Sequence, residues 1–485
     1  MKVARDEPAP GSLAALAARH GERYRWRVLM TVMIGSIASV MSSTIVNVAV
    51  PDLMRHFAIG QERAQWVAAG FMAAMTLSML PTPWLLARYG YRHTYVGAVT
   101  LLMAGGIAGG LAQHYPLVLA MRVAEGLAAG VLQVIPSIII LRAFDQGERG
   151  RAMGIFGFGV VLAPAVGPSI GGVLVEYFGW RSIFFFVVPF ALWALWLARR
   201  YLPESAPGGG APGGRSEALD ALGLTLATVG VLGLLNGLVH LHDASRVSAA
   251  ALLGTVVLAL ALFVWHESRT PKPLLNLHLF RSRPFAMGGV VAFTYGMGLF
   301  GSTYLVPVFM QTALHFPPSQ AGAALMPAGL VLALTIPLGG RLADRVAPHA
   351  LVAAGLALLA VSFALMTTVG PGTLLWVLML WAVVGRIGLG FVLPSLTLGA
   401  MPGLGADAVP QAASAISFLR QLGGAAGVSL VGIFLEWRLR MRAATGAAEL
   451  SAYADTFWLV AALSALATLA ALRMRPLPPR ATVAP

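Results

Sequence analysis

Residues 116–140 read PLVLAMRVAEGLAAGVLQVIPSIII, twenty-five residues whose only charges are Arg122 and Glu125. A run of about 20 apolar residues crosses a bilayer as an α-helix, because only a helix satisfies every backbone group from within. Thirteen more runs of this kind flank it, giving fourteen in all: 28–50, 64–86, 94–112, 116–140, 152–175, 182–199, 218–239, 247–265, 285–310, 321–340, 350–369, 373–397, 410–435 and 455–473. Hydrophobic residues make up 58% of the 485, charged residues 11%, and the mean hydropathy is +0.78. A water-soluble chain of this length needs far more charge to cover its surface. The sequence therefore predicts an all-α membrane protein with many spans.

Lys and Arg set the orientation. With both termini in the cytoplasm, the inside segments hold 23 of them and the outside loops 7. Arg122, Arg386 and Arg420 fall inside spans. The last outside loop, with Arg438, Arg440 and Arg442, runs against the rule and leaves the thirteenth span the least secure. The net charge of +14 is then the basic inner collar of a membrane protein, attracted to anionic membrane lipids, and calls for no nucleic acid. The chain has no cysteine, which removes disulfides, thiolate chemistry and cysteine metal sites. No cleavable signal peptide is apparent. Ser12–Arg27 reads as a solvated, lipid-attracted tail, with a short in-plane amphipathic helix as the alternative.

The chain repeats itself. Arg345 echoes Arg88 at an offset of 257, Arg386 echoes Arg122 at 264, Gly423 echoes Gly167 at 256, and Pro307 echoes Pro51 at 256. Two duplicated six-helix halves are what alternating access needs, one half rocking against the other. The chain thus divides into a cytoplasmic tail (1–27), a six-helix bundle (28–200), a Gly- and Pro-rich flexible linker (201–217), two extra spans (218–266), a cytoplasmic loop (267–284), a second six-helix bundle (285–473) and a cytoplasmic tail (474–485). The extra spans have no repeat partner and read as peripheral.

Charge inside a span is costly and marks function. At 100° per residue, Glu125 lies about 300° and Gln133 about 20° around the helix from Arg122, so the three share one face, expected to look into a cavity. A protonatable Glu125 beside Arg122 can take up and release a proton as access switches sides; a permanent i, i+3 ion pair that locks the helix is the alternative. Candidate cavity groups are Asn47, read as a buried polar group that meets substrate or bridges helices, with Trp66, Phe71, Met75, Tyr295, Tyr304, Gln311, Arg386 and Arg420. Aromatic and Met side chains make adaptable apolar surfaces.

Four further segments carry patterns. Pro83-Trp84-Leu85-Leu86-Ala87-Arg88 leads into Gly90 and Arg92, and its second-half copy is Gly340-Arg341-Leu342-Ala343-Asp344-Arg345. Span five holds Pro164-Ala165-Val166-Gly167-Pro168-Ser169-Ile170-Gly171-Gly172. There, Gly lets helices touch backbone to backbone and Pro kinks the helix. Span one holds Ser42-Ser43-Thr44-Ile45-Val46-Asn47-Val48-Ala49-Val50-Pro51, and span thirteen Arg420-Gln421-Leu422-Gly423-Gly424-Ala425-Ala426-Gly427.

Together these segments resemble the major facilitator superfamily, and within it the fourteen-span drug:proton antiporters of EmrB/QacA type, over roughly 28–473. The resemblance implies a bacterial cytoplasmic-membrane exporter of small lipophilic molecules, driven by protons. An anionic lipophile or a specific metabolite is the alternative cargo. It gives Arg88, Gly90, Arg92, Gly340, Asp344 and Arg345 the part of a conformational latch, with a simple cytoplasmic turn as the alternative at 83–92. It makes Pro164, Gly167, Pro168, Gly171 and Gly172 the antiporter motif, and leaves open a periplasmic adaptor protein. No cofactor or metal is implied. Two family acids are missing: Ser42 stands where span one has Asp, and Ala87 where the first loop has Asp. No P-loop and no H-E-x-x-H occurs, and His240-Leu241-His242 beside Asp243 reads as surface, so enzyme chemistry is not expected.

Overall fold

The computed structural model describes residues 13–21, 23–204, 218–240, 246–370, 372–444 and 449–475. Most of the linker, the outermost parts of both tails and residues 241–245 lie outside them. Among the described residues the chain is helical throughout, with no strand.

In chain order the helices are α1 (Leu13–His20), α2 (Tyr24–Phe57), α3 (Gln61–Met79), α4 (Thr82–Gly110), α5 (Tyr115–Ala143), α6 (Arg149–Phe178), α7 (Ser182–Phe185) and α8 (Val187–Tyr201). The two apolar runs between the halves fall in α9 (Ala221–His240) and α10 (Arg246–Arg269). The second half supplies α11 (Arg283–Thr312), α12 (Pro318–Ala343), α13 (Pro348–Met366), α14 (Leu375–Ala400), α15 (Val409–Ala444) and α16 (Glu449–Leu472). Among the described residues, nine helices are long and apolar enough to cross a bilayer, or eleven if each of two bent pairs is one span. The sequence expects fourteen. Part of the difference is local: Gly90, at φ 76° and ψ 173°, breaks α4 where the sequence places the loop between spans two and three.

Two compact units result. One comprises the chain up to Asn276 with Ala413–Phe418; the other comprises Leu277–Ala412 and Leu419 onward. In the first, α3 packs on α5, α2 on α6, and α9 on α10. Trp180 packs edge-on against Phe57 and Phe184 at one end. In the second, α14 packs on both α12 and α13, and α16 on α13 and α11.

Glycine sets how closely helices approach. A Cβ at Gly126 would run into the Phe71 carbonyl, and one at Gly130 into the Met75 carbonyl and the Ser78 hydroxyl, so α5 meets α3 at its backbone. Gly167 and Gly171 do the same for α6 on α2: a Cβ there would lie 2.6 Å from Thr44 Oγ1 and 2.6 Å from Ile45 Cγ1.

The arginines of the basic cluster that goes against the orientation rule are each ion-paired. Helix α15 runs past the expected end at 435, so its arginines are helical. Arg438 Nε and Arg442 Nη2 both donate to Asp455 Oδ2 on α16, at 2.9 and 2.8 Å, and Arg440 pairs with Glu436. In the N-terminal tail, Leu13–His20 is helical, and His20 stacks on Tyr24.

Candidate functional site

Arg122 and Glu125 lie on α5, one turn apart, with side chains 2% and 1% exposed. Removing two charges from water costs several kcal/mol each, so the pair persists only with dense compensation. Arg122 Nη1 donates to Glu125 Oε2 at 2.5 Å and to Ser42 Oγ at 2.8 Å. Nη2 donates to the Ser42 carbonyl at 3.2 Å and Nε to the Val67 carbonyl at 3.3 Å. The guanidinium carbon sits 4.3 Å from the centroid of the Phe71 ring, a desolvated cation–π contact worth about 2 kcal/mol. Four hydrogen bonds and one ring contact thus tie the arginine to α2, α3 and α5.

Glu125 is less evenly served. Oε2 accepts from Arg122 and from Ser42 Oγ at 3.1 Å. Oε1 is buried and accepts from no group. It faces α4, where the absence of side chains makes room: a Cβ at Gly105 would lie 2.7 Å from Glu125 Cγ, and one at Gly106 3.3 Å from Oε1. Three helices therefore enclose one carboxyl group with an unoccupied acceptor.

Other candidate residues fall in several places. Gln133 is buried further along α5 and takes no part in these bonds. Phe71 is fully buried as the platform under Arg122, and Met75 is buried at the α3–α5 contact, so neither lines open space. Asn47 is exposed, which corrects the expectation of a buried polar group. It lies five residues from Ser42, about 140° around α2, off the face that carries Ile45, Val46 and Ala49. Trp66 does line a cavity. With Gly70, Leu77, Leu101, Val123 and Leu127 it walls about 760 Å³ of apolar space on the α3–α5 face, completed by Leu224, Thr228 and Leu232 of α9. An extra helix read as peripheral thus contributes a wall.

In the second unit, Tyr295 is fully buried, Tyr304 and Gln311 are exposed, and Arg386 and Arg420 are half-buried. Arg386 Nη2 reaches Thr303 Oγ1 at 3.4 Å.

The two loop motifs behave differently. Arg92 bonds inside its own unit, from Nε to the Leu202 carbonyl and from Nη1 to Glu204 Oε1, both at 2.7 Å, while Arg88 lies over Trp84 and Tyr89. Gly340 falls near the end of α12, Asp344 caps it and Arg345 is exposed. In the span-five motif, Gly167 and Gly171 make the α2 contact, Pro164 is half-buried between them and Gly154, Pro168 is within the helix, and Gly172 faces open space.

Sequence reasoning missed the place of Ser42, which it treated only as a lost acid. Here it bridges Arg122 and Glu125, and the carboxyl group of the site comes from α5. The Gly105-Gly106 pair opposite was a readable sign that something approaches α4 closely.

The sequence profile of the Major Facilitator Superfamily matches residues 32–428. The chain belongs to this superfamily of transporters. Among curated proteins it is 29% identical over 410 residues to the multidrug resistance protein Stp of Mycobacterium tuberculosis (strain CDC 1551 / Oshkosh), covering 84% of this chain and 75% of Stp. It is 26% identical over 405 residues to the lincomycin resistance protein LmrB of Listeria monocytogenes, covering 83% and 85%. Among solved structures, the proton:xylose symporter XylE superposes with a TM-score of 0.64 at 14% identity, over 92% of this chain and 94% of XylE. At that identity the likeness concerns the fold alone. The major facilitator assignment also makes this an integral membrane transporter and not an enzyme.

Proposed function

We propose that this transporter is a fourteen-span exporter of lipophilic small molecules, working by proton antiport in a bacterial cytoplasmic membrane with both termini inside. The observation that carries the proton assignment is Glu125 Oε1, a buried carboxyl oxygen without a donor beside an Arg122 that makes four hydrogen bonds. A proton can be added there without displacing any existing hydrogen bond. Its arrival weakens the hold of Glu125 on Arg122, which couples protonation to the α2–α5 contact. The apolar cavity walled by Trp66 and α9 supports a lipophilic cargo, as do the resistance names of Stp and LmrB. The Gly340–Arg345 turn serves as the conformational latch, and the Gly167 and Gly171 contact as the tight seam of the antiporter motif.

Export into everted vesicles under an imposed pH gradient tests this reading. Glu125→Gln should abolish gradient-driven export and leave substrate binding measurable. Wild-type export by that variant would remove Glu125 from coupling.

A further inference from the structure

The internal repeat pairs α5 with α14, and the pairing is incomplete at one position. Arg122-x-x-Glu125 in the first half becomes Arg386-x-x-Leu389 in the second. Arg386 therefore enters its bundle without the carboxylate that its counterpart has. Among the described residues it forms no ion pair, and its hydrogen bond to Thr303 is long at 3.4 Å. Arg420 on α15 likewise pairs with no acid among the described residues.

Glycine sets the approach of the two helices that carry Tyr295 and Arg420. A Cβ on Gly296 would run into the Arg420 carbonyl, and one on Gly423 into the Phe293 carbonyl, so α11 and α15 meet backbone to backbone. Tyr295, next to Gly296, is fully buried, and its hydroxyl has no hydrogen-bond partner. That hydroxyl lies within electrostatic reach of both Arg420 and Arg386. All of these residues belong to the second unit. Arg386 and Arg420 are half-buried, Tyr295 is fully buried, and Arg386 lines a small cavity with Ser302, Ser362 and Phe363.

Cations inside a membrane are kept where something pairs with them, and a buried hydroxyl without a partner adds a smaller cost of its own. We propose that the second unit carries an anion site, in which Arg386 and Arg420 hold the carboxylate or equivalent acidic group of a lipophilic substrate and Tyr295 supplies a third donor. The inference rests on the export reading for its biological sense, but its binding chemistry stands on these residues alone.

The test uses the full-length transporter in detergent with three fluorescent probes: a dansyl-labelled fatty acid, its methyl ester and its dimethylammonium analogue. Wild type should bind the acid at least about tenfold more tightly than the ester, the value expected for hydrogen bonds to a charged group. Arg386→Gln and Arg420→Gln should each bring the acid down toward the ester, Arg386→Lys should keep part of the preference, and Tyr295→Phe should reduce it severalfold with ester binding unchanged. Equal or tighter binding of the ester or the ammonium probe by wild type overturns the proposal, whatever the variants do. So does a preference that survives both glutamine substitutions. Gradient-driven flux of ester or ammonium probe without acid preference would sink the anion site and leave export standing. Acid preference with no flux of any probe would sink export and leave the anion site.

Discussion

Ser42 on α2 donates its hydroxyl to Glu125 Oε2 on α5 at 3.1 Å and receives Arg122 Nη1 on the same oxygen at 2.8 Å. One hydroxyl thus joins both charges of the buried pair to the first span. Ser42→Ala deletes a donor to a carboxylate and an acceptor from a guanidinium together. The expected cost is about 1.5–3 kcal/mol of folding stability, with weaker proton-driven export and little change in substrate affinity. Thermal unfolding in detergent and vesicle export read the two effects separately.

Removing one member of the Arg122–Glu125 pair leaves the other buried and uncompensated. Arg122→Leu alone should lose about 3–5 kcal/mol, whereas Arg122→Leu with Glu125→Leu should recover much of that loss. Both variants should fail to export. Thermal unfolding of the two singles and the double, read as a cycle, checks it. A double variant less stable than both singles would contradict the compensation described here.

Adjacent glycines of the span-five motif should answer differently to alanine. At Gly171 a Cβ would lie 2.6 Å from Ile45 Cγ1 and 3.2 Å from the Ile45 carbonyl, so Gly171→Ala should cost about 1–3 kcal/mol. At Gly172 nothing lies within 4 Å, and Gly172→Ala should be neutral or stabilise by up to about 1 kcal/mol through helix propensity. Unfolding temperatures of the two variants decide the matter.

Glu267 gives a pH dependence outside the spans. It follows the apolar run that ends at 265, and burial pushes its carboxyl up from an ordinary 4.5 to about 7. The Leu275 N–H, donating to Oε2 at 2.9 Å, pulls the other way, while the neighbouring Asp220 adds to the rise. The folded chain therefore holds this proton more tightly than the unfolded chain. Its contribution is complete below about 4.5 and is lost as pH rises through about 7. Unfolding temperature should fall between pH 5 and pH 8 on this account, and Glu267→Gln should flatten that part of the profile.

Much of the fold was legible because lipid imposes one simple demand, long apolar helices, and the runs at 116–140 and 350–369 meet it without ambiguity. The Arg122–Glu125 pair was legible for the same reason, since charge has no cheap place there. What escaped was lateral arrangement. Helical spacing puts Arg122, Glu125 and Gln133 on one face but does not say that α4 offers glycines to that face, or that Phe71 lies under the guanidinium. Asn47 looked buried because its segment is apolar, yet the apolar side of α2 turns inward and Asn47 does not. The length of α15 was misjudged because arginines read as loop; paired with Asp455 and Glu436, they extend the helix.

The uncompensated arginines of the second half also bear on current. An acid that leaves in its charged form while a proton enters displaces two charges in one electrical direction. Each is worth about 2.3 kcal/mol per 100 mV of membrane potential. Voltage, negative inside, would then expel such a cargo even at equal pH on both sides, whereas a monovalent cation exchanged for one proton would be electrically silent.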